Sequence, residues 1–214
     1  MRFLDVASIE QVQTGEETVR DVLVVIQNLA QLQAVDHRIR GILGDNFLEH
    51  FDLLIDNRQH LLCLDSSSTL ASAIRSEHIS LMEPYGPSKD LPFTRPLIVS
   101  AKLSGLGGTP LLLRLDSGSN AAMLHLANRE IRATINSRTP TLRRQVAGVE
   151  QVFAILPSQD LEVGKCHFHE ISFVMPLNSL GNGPSPREDG VLPTIAFQRV
   201  FISSTSRYAA FEPW

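Results

Sequence analysis

Asp116 is the residue in this sequence best placed to do chemistry. It ends the run Leu111-Leu112-Leu113-Arg114-Leu115 and is followed by Ser117-Gly118-Ser119-Asn120. An apolar strand running into an acid buries the carboxylate and aims it. The glycine lets the loop turn tightly and brings backbone amides close. The hydroxyls of Ser117 and Ser119 can hold the acid and the loop by hydrogen bonds. A carboxylate positioned this way is a candidate general acid or base. An isolated Asp-Ser-Gly triplet is most often a plain turn, so the segment gains meaning only from its surroundings.

Other candidates are weaker. Counting Asp116 as the first position of a calcium loop, the twelfth is Ala127 rather than the glutamate an EF-hand needs. Cys166-His167-Phe168-His169-Glu170 places two histidines on one strand face, but no partner ligand stands elsewhere. A solvated strand face is the simpler reading, and no metal site is assigned. Arg143-Arg144 reads as a solvated pair, and Cys63 as a strand-core filler rather than a reactive thiol.

The elements that must position Asp116 read as short strands. Val22 to Ile26, Phe51 to Asp56, Leu61 to Leu64, Val152 to Leu156 and Ile171 to Met175 are candidates. Leu97-Ile98-Val99 and Leu111 to Leu115, joined by the turn-rich Ser104 to Pro110, read as a hairpin. Helical signals are short: Ala121 to Ile131, after the Asp116 loop, reads as a helix or turn, and Thr69 to Ile74 as another. Many short strands separated by Gly, Pro, Asn and Ser predict an all-β chain. Residues 66–96 open with three serines and carry Pro84, Pro87, Pro92 and Pro96, poor material for a sheet interior. They read as a connector between residues 1–65 and 97–214.

Composition is that of an ordinary globular protein, with 43% hydrophobic and 20% charged residues over 214 positions. A formal net charge of -4 leaves no electrostatic footprint for nucleic acid. No apolar run approaches the roughly 20 residues of a membrane helix. Two distant cysteines, Cys63 and Cys166, make neither a disulfide framework nor metal-ligand spacing. Met1 to Asp5 is not a signal peptide, and the compartment is not readable.

An internal repeat organises the chain. Gly41 to Leu53 and Gly190 to Ile202 align 149 positions apart. Gly meets Gly, and apolar pairs fall at 42/191, 43/192, 48/197, 51/200 and 53/202.

Leu111 to Asn120 resembles the active-site loop of aspartic proteases, two apolar residues followed by Asp, Thr or Ser, Gly, and Ala or Ser. Gly41-Ile42-Leu43-Gly44-Asp45-Asn46-Phe47-Leu48 resembles a later motif of that family, which packs beneath the loop. Phe51 to Leu64 resembles its closing hairpin. The likeness is greatest to bacterial retropepsin-like proteins with two fused repeats. It implies an all-β acid-protease fold: a partial repeat over 1–65, the 66–96 connector and a complete repeat over 97–214. It implies Asp116 as the catalytic acid, with Ser117, Gly118 and Ser119 supporting the loop. Gly148 falls where a flap tip belongs, and Gly15 is the candidate tip for the first repeat. In that family two carboxylates share one proton; one acts as base on a bound water and the other as acid toward the scissile amide. The implied substrate is a peptide or protein, with no cofactor, nucleic acid or membrane.

Two departures bear on activity. At the repeat offset, the counterpart of Asp116 falls before Met1, so the first repeat has no catalytic loop here. A second Asp is expected either from a homodimer or from a longer chain, which would also carry any export signal. The second repeat also has Pro193 where the family pattern has Gly, and proline supplies no amide donor. The rival function is a non-catalytic peptide-binding or assembly module on the same fold.

Overall fold

A computed structural model describes residues 5–34, 36–65, 68–83, 96–125, 135–146, 149–178 and 187–214. In chain order the strands are β1 (Asp5–Thr14), β2 (Glu17–Ile26), β3 (Asp52–Asp56), β4 (Leu61–Asp65), β5 (Ile79–Ser80), β6 (Ile98–Leu103), β7 (Leu111–Asp116) and β8 (Ala122–Leu124). They continue as β9 (Thr141–Val146), β10 (Val149–Ile155), β11 (Gln159–Val163), β12 (Cys166–Ile171), β13 (Phe173–Pro176), β14 (Gly190–Pro193), β15 (Arg199–Ser203) and β16 (Tyr208–Glu212). Two four-residue helices, α1 (Ala30–Gln33) and α2 (Asp45–Leu48), precede β3. The all-β expectation holds.

Among the described residues the strands form three sheets. β1 and β2 make a two-stranded hairpin. A nine-stranded sheet runs β12-β11-β6-β7-β14-β8-β13-β10-β9, and a five-stranded sheet runs β4-β3-β15-β16-β5. In β7, Leu111, Leu113 and Leu115 are buried on one face, while Arg114 and Asp116 share the other. The predicted β6–β7 hairpin is present, with Gly107 and Gly108 supplying the positive φ of its connection.

β14 inserts between β7 and β8, parallel to the first and antiparallel to the second. Where a helix or turn is expected from Ala121, the chain forms the strand β8, and residues 126–131 of that span lie outside the described residues. Ala122 and Leu124 face the core, and β8 gains backbone partners in both β14 and β13. That pairing overrides the helical preference of an Ala-Met-Leu run.

The repeat is written into the backbone. The β1–β2 turn carries Gly15 at φ 60°, and the β11–β12 turn carries Gly164 at φ 59°. Asp21 in β2 and Glu170 in β12 both take unusual positive φ, 55° and 57°. Both pairs are 149 positions apart, the offset of the motif repeat. Gly15 is therefore the counterpart of the Gly164 turn, not of Gly148, and its assignment as a flap tip is corrected. The two closing hairpins, β3–β4 and β15–β16, pair with each other through β3 and β15. Leu53 lies opposite Ile202, its own repeat counterpart. When equivalent residues face each other across an antiparallel pair, a local two-fold axis passes between them.

The main core joins both parts of the chain. Phe47, Phe51 and Leu53 pack in one cluster with Leu113, Leu192, Phe197 and Phe211. A satellite cluster of Leu54, Ile74, Phe201 and Ala210 lies on the other face of the five-stranded sheet, with half-buried Cys63 against it. Residues 68–83 of the expected connector pack here too: Ser68–Ala73 form a 3-10 turn and β5 pairs with β16. Its proline-rich stretch, 84–95, lies outside the described residues.

Candidate active site

Asp116 closes β7 at the point where the strand leaves the sheet. Its Oδ1 accepts a hydrogen bond from the Gly118 amide at 2.8 Å. A Cβ at Gly118 would stand 3.2 Å from the same oxygen, tighter than ordinary contact. Glycine thus lets the amide approach the carboxylate without side-chain crowding. Ser119 Oγ donates to the Ala121 carbonyl at 2.8 Å and holds the far side of the loop. Ser117 is exposed. The carboxylate is half-buried, so it is aimed by the strand yet reachable by solvent.

The second anchor of the loop is β14. Its ladder with β7 runs from Gly190↔Leu113 to Pro193↔Asp116. Pro193 is the last residue of the strand, where a missing amide interrupts no further pairing. The substitution of Pro for Gly in the repeat therefore leaves the packing beside Asp116 intact. Gly190 is essential to it: an added Cβ would collide with the Met123 carbonyl and stand 3.1 Å from both Leu113 Cδ2 and Leu124 Cδ2.

Asp116 is linked through Asp45 to a set of charges that sequence reading did not assemble. Burial pushes the Asp45 carboxyl above the usual carboxylate range; the Arg114 guanidinium opposes this, while the charges of Glu49 and Asp116 reinforce it. Asp45 is the first residue of α2, in the first half of the chain. The charge of Asp116 is felt at Asp45, so the two carboxylates stand within electrostatic reach across the boundary between the repeats. Arg114 also meets Glu188 at 3.6 Å. Burial holds His125, just after β8, below the usual histidine range; Glu188 and Asp189 work against that shift, and Arg114 with it. The His125 Nε2 is buried without a hydrogen-bond partner. No spacing signal in the sequence links positions 45, 114, 125 and 188; they meet through the strand order.

A cavity of about 630 Å³ opens between β2, α2 and the β15–β16 turn, lined in part by Arg20, Leu23, Asp45, Asn46, Leu97 and Arg207. Asp45 is on its wall, whereas Asp116 is not among its lining residues.

Either side of the expected flap tip stand β9 and β10. β9 and β10 pair antiparallel with Val146 opposite Val149. Gly148 itself lies outside the described residues. His167 and His169 are exposed, and His169 Nδ1 meets Asp160 Oδ1 at 3.3 Å on the surface. Among the described residues no cluster of three or more His, Cys, Asp or Glu could hold a metal. Both cysteines are free, and burial, then the charge of Glu77, raises the Cys166 thiol pKa. No helix among the described residues is long and apolar enough to cross a membrane.

The architecture is all-β, with an Asp-loop strand flanked by an inserted strand and duplicated closing hairpins in one sheet. No known family's model matches the chain, and no curated protein matches it. Among solved structures, a retropepsin-like aspartic protease from Rickettsia conorii is similar at 13% identity, with a TM-score of 0.38. That match covers 56% of this chain and 83% of the other.

Proposed function

We propose that this chain is the part of an aspartic peptidase that carries one catalytic carboxylate, Asp116. The observation behind this reading is the Asp116 loop itself: a half-buried carboxylate at a strand end, fixed by the Gly118 amide. In the reaction, one carboxylate removes a proton from a bound water as its oxygen adds to the amide carbon. A second carboxylic acid protonates the departing nitrogen, and the C–N bond breaks. Two carboxylates within hydrogen-bonding reach share one proton, which provides both roles at once. The substrate class is a peptide or protein.

The second carboxylate must come from outside the described residues' Asp-Ser-Gly loop. A homodimer built by pairing the closing hairpins of two copies through β15 is disfavoured by the five-stranded sheet. β15 is already flanked by β3 and β16, so neither of its edges is open to a second copy. The better source is a polypeptide segment that completes the first repeat. The alternative, a non-catalytic peptide-binding or assembly module, draws support from the single Asp-Ser-Gly loop in this sequence.

The experiment is peptide cleavage at acid pH by three proteins: the chain as given, its Asp116→Asn variant, and a chain extended to complete the first repeat. The expected result is weak cleavage by the first, none by the second and robust cleavage by the third. Equal, robust cleavage by the first two would remove Asp116 from the mechanism. Robust cleavage by the chain as given, abolished by Asp116→Asn and accompanied by a dimer in solution, would establish the homodimer instead.

A further inference from the structure

The imidazole of His125 is a titratable group that peptide hydrolysis by Asp116 leaves unused. His125 follows β8 directly, and its Nε2 is buried with no hydrogen-bond partner among the described residues. A buried polar atom without a partner is costly and calls for an explanation. For an imidazole the cost depends on protonation. The neutral ring leaves one lone pair or one N–H unmatched at Nε2; the cation carries a donor on each nitrogen and brings a positive charge into the site.

The backbone at this point joins three strands. The His125 amide donates to the Asp189 carbonyl at 2.8 Å. The Asp189 amide donates to the Leu112 carbonyl at 2.8 Å, and the Leu112 amide donates back to Asp189 Oδ2 at 2.9 Å. Asp189 immediately precedes β14, and Leu112 stands in β7, the strand that ends in Asp116. Beside this exchange Arg114 of β7 meets Glu188 at 3.6 Å. Gly190, the next residue, pairs with Leu113 on one side and Leu124 on the other. The bonds of Asp189 are therefore the first rung of both ladders that hold β14 between β7 and β8.

Burial opposes the His125 cation most; Glu188 favours it, Arg114 opposes it and Asp189 favours it. Arg114 comes from β7, and the two acids from the approach to β14; β8, β13 and β14 themselves carry no titratable side chain. The ring is held below its ordinary value of 6.5. Above 6.5 it is neutral in the folded and the unfolded chain alike, and its contribution to stability is fully present. As pH falls through 6.5 the opened chain takes the proton before the folded one, so that stability is lost.

We propose that His125 is an acid-operated release for the β7–β14 junction: a proton from solvent, taken up on its buried Nε2, frees the 188–189 segment from β7 and β8 and loosens the strand that carries Asp116. The release works between about pH 5 and about pH 7, above the range of ordinary carboxylates. It goes beyond the peptidase reading and does not depend on it.

The test reads the junction directly. Hydrogen exchange, corrected for the intrinsic rate at each pH, is followed at the amides of Leu112, His125 and Asp189. Protection there should fall at least about tenfold between about pH 7.5 and about pH 5, while the amides of β15 keep theirs. His125→Gln removes the titration and should abolish the fall. In the unsubstituted chain, the His125 imidazole resonances followed against pH should give a midpoint below 6.5. That titration needs no variant, so it decides the matter even where His125→Gln does not fold. A midpoint at or above 6.5 overturns the proposal. So does unchanged protection at the three amides. An equal fall in His125→Gln would assign the release to Glu188 or Asp189, and a fall shared by β15 would be global unfolding; either result also overturns it.

Discussion

Gly190 and Gly41 occupy the same place in the two repeats, and replacing each with alanine should have opposite consequences. In Gly190→Ala the new methyl would collide with the Met123 carbonyl, a backbone atom held by the β14–β8 ladder, and crowd Leu113 and Leu124 at 3.1 Å. Neither neighbour can rotate away as a surface side chain would, so β14 must shift between its two partners. Overpacking of this kind costs about 1–3 kcal/mol, and a backbone clash belongs at the upper end. Alanine returns about 0.5 kcal/mol by restricting the unfolded chain. The net loss is then about 1.5–2.5 kcal/mol, a fall in Tm of about 3–10 °C for a chain of this size. Gly41→Ala meets nothing within 4 Å and should stay within about 0.5 kcal/mol of the parent. Thermal denaturation followed by circular dichroism reads both. A Gly190→Ala protein melting within about 1 °C of the parent would refute the insertion of β14 between β7 and β8. In the extended chain described above, Gly41→Ala should become as damaging as Gly190→Ala.

Asp116→Asn should abolish peptide cleavage by the extended chain while leaving its Tm within about 2 °C, because the amide oxygen of Asn can still accept from Gly118; retained cleavage would count against Asp116 as an acid–base group. Asp45 is held above its ordinary value of 3.8, chiefly by burial, so the folded chain favours its protonated form and loses stability as pH rises above that value. Asp45→Asn should therefore gain Tm relative to the parent between about pH 3 and about pH 7, and a pH-independent difference would refute the shift. Arg199 bridges Asp56 of β3 at 3.3 Å and Glu212 of β16 at 3.1 Å across the five-stranded sheet. Arg199→Leu leaves the buried Asp56 carboxylate without that cation and should cost about 1–3 kcal/mol in urea denaturation; no loss would mean that the bridge adds nothing to the junction.

What the linear sequence determines here is local or periodic. The Asp116 loop is legible because strand, acid and glycine are adjacent, and the chemistry of a tight turn depends on neighbours in the chain. The repeat is legible because duplicated segments keep their spacing, and that spacing already contained the answer for Gly15. Position 164 is also glycine, and the shared positive φ follows from two equivalent turns. Strand content follows from alternation in segments such as Leu111 to Asp116, where each side chain's face is set by a period of two. The helix or turn expected from Ala121 gave way to β8 because a three-residue strand is stabilised by its partners, β13 and β14, and not by its own sequence. The grouping of Asp45, Arg114, His125 and Glu188 was likewise set by tertiary structure. It arises where α2 of one repeat meets β7 and the approach to β14 of the other, a juxtaposition that depends on the β3–β15 pairing. Exposure was decided at the same level. Ile42-Leu43 and Val191-Leu192 are nearly the same dipeptide, yet one pair faces solvent and the other is sealed, because burial depends on the strands that lie alongside.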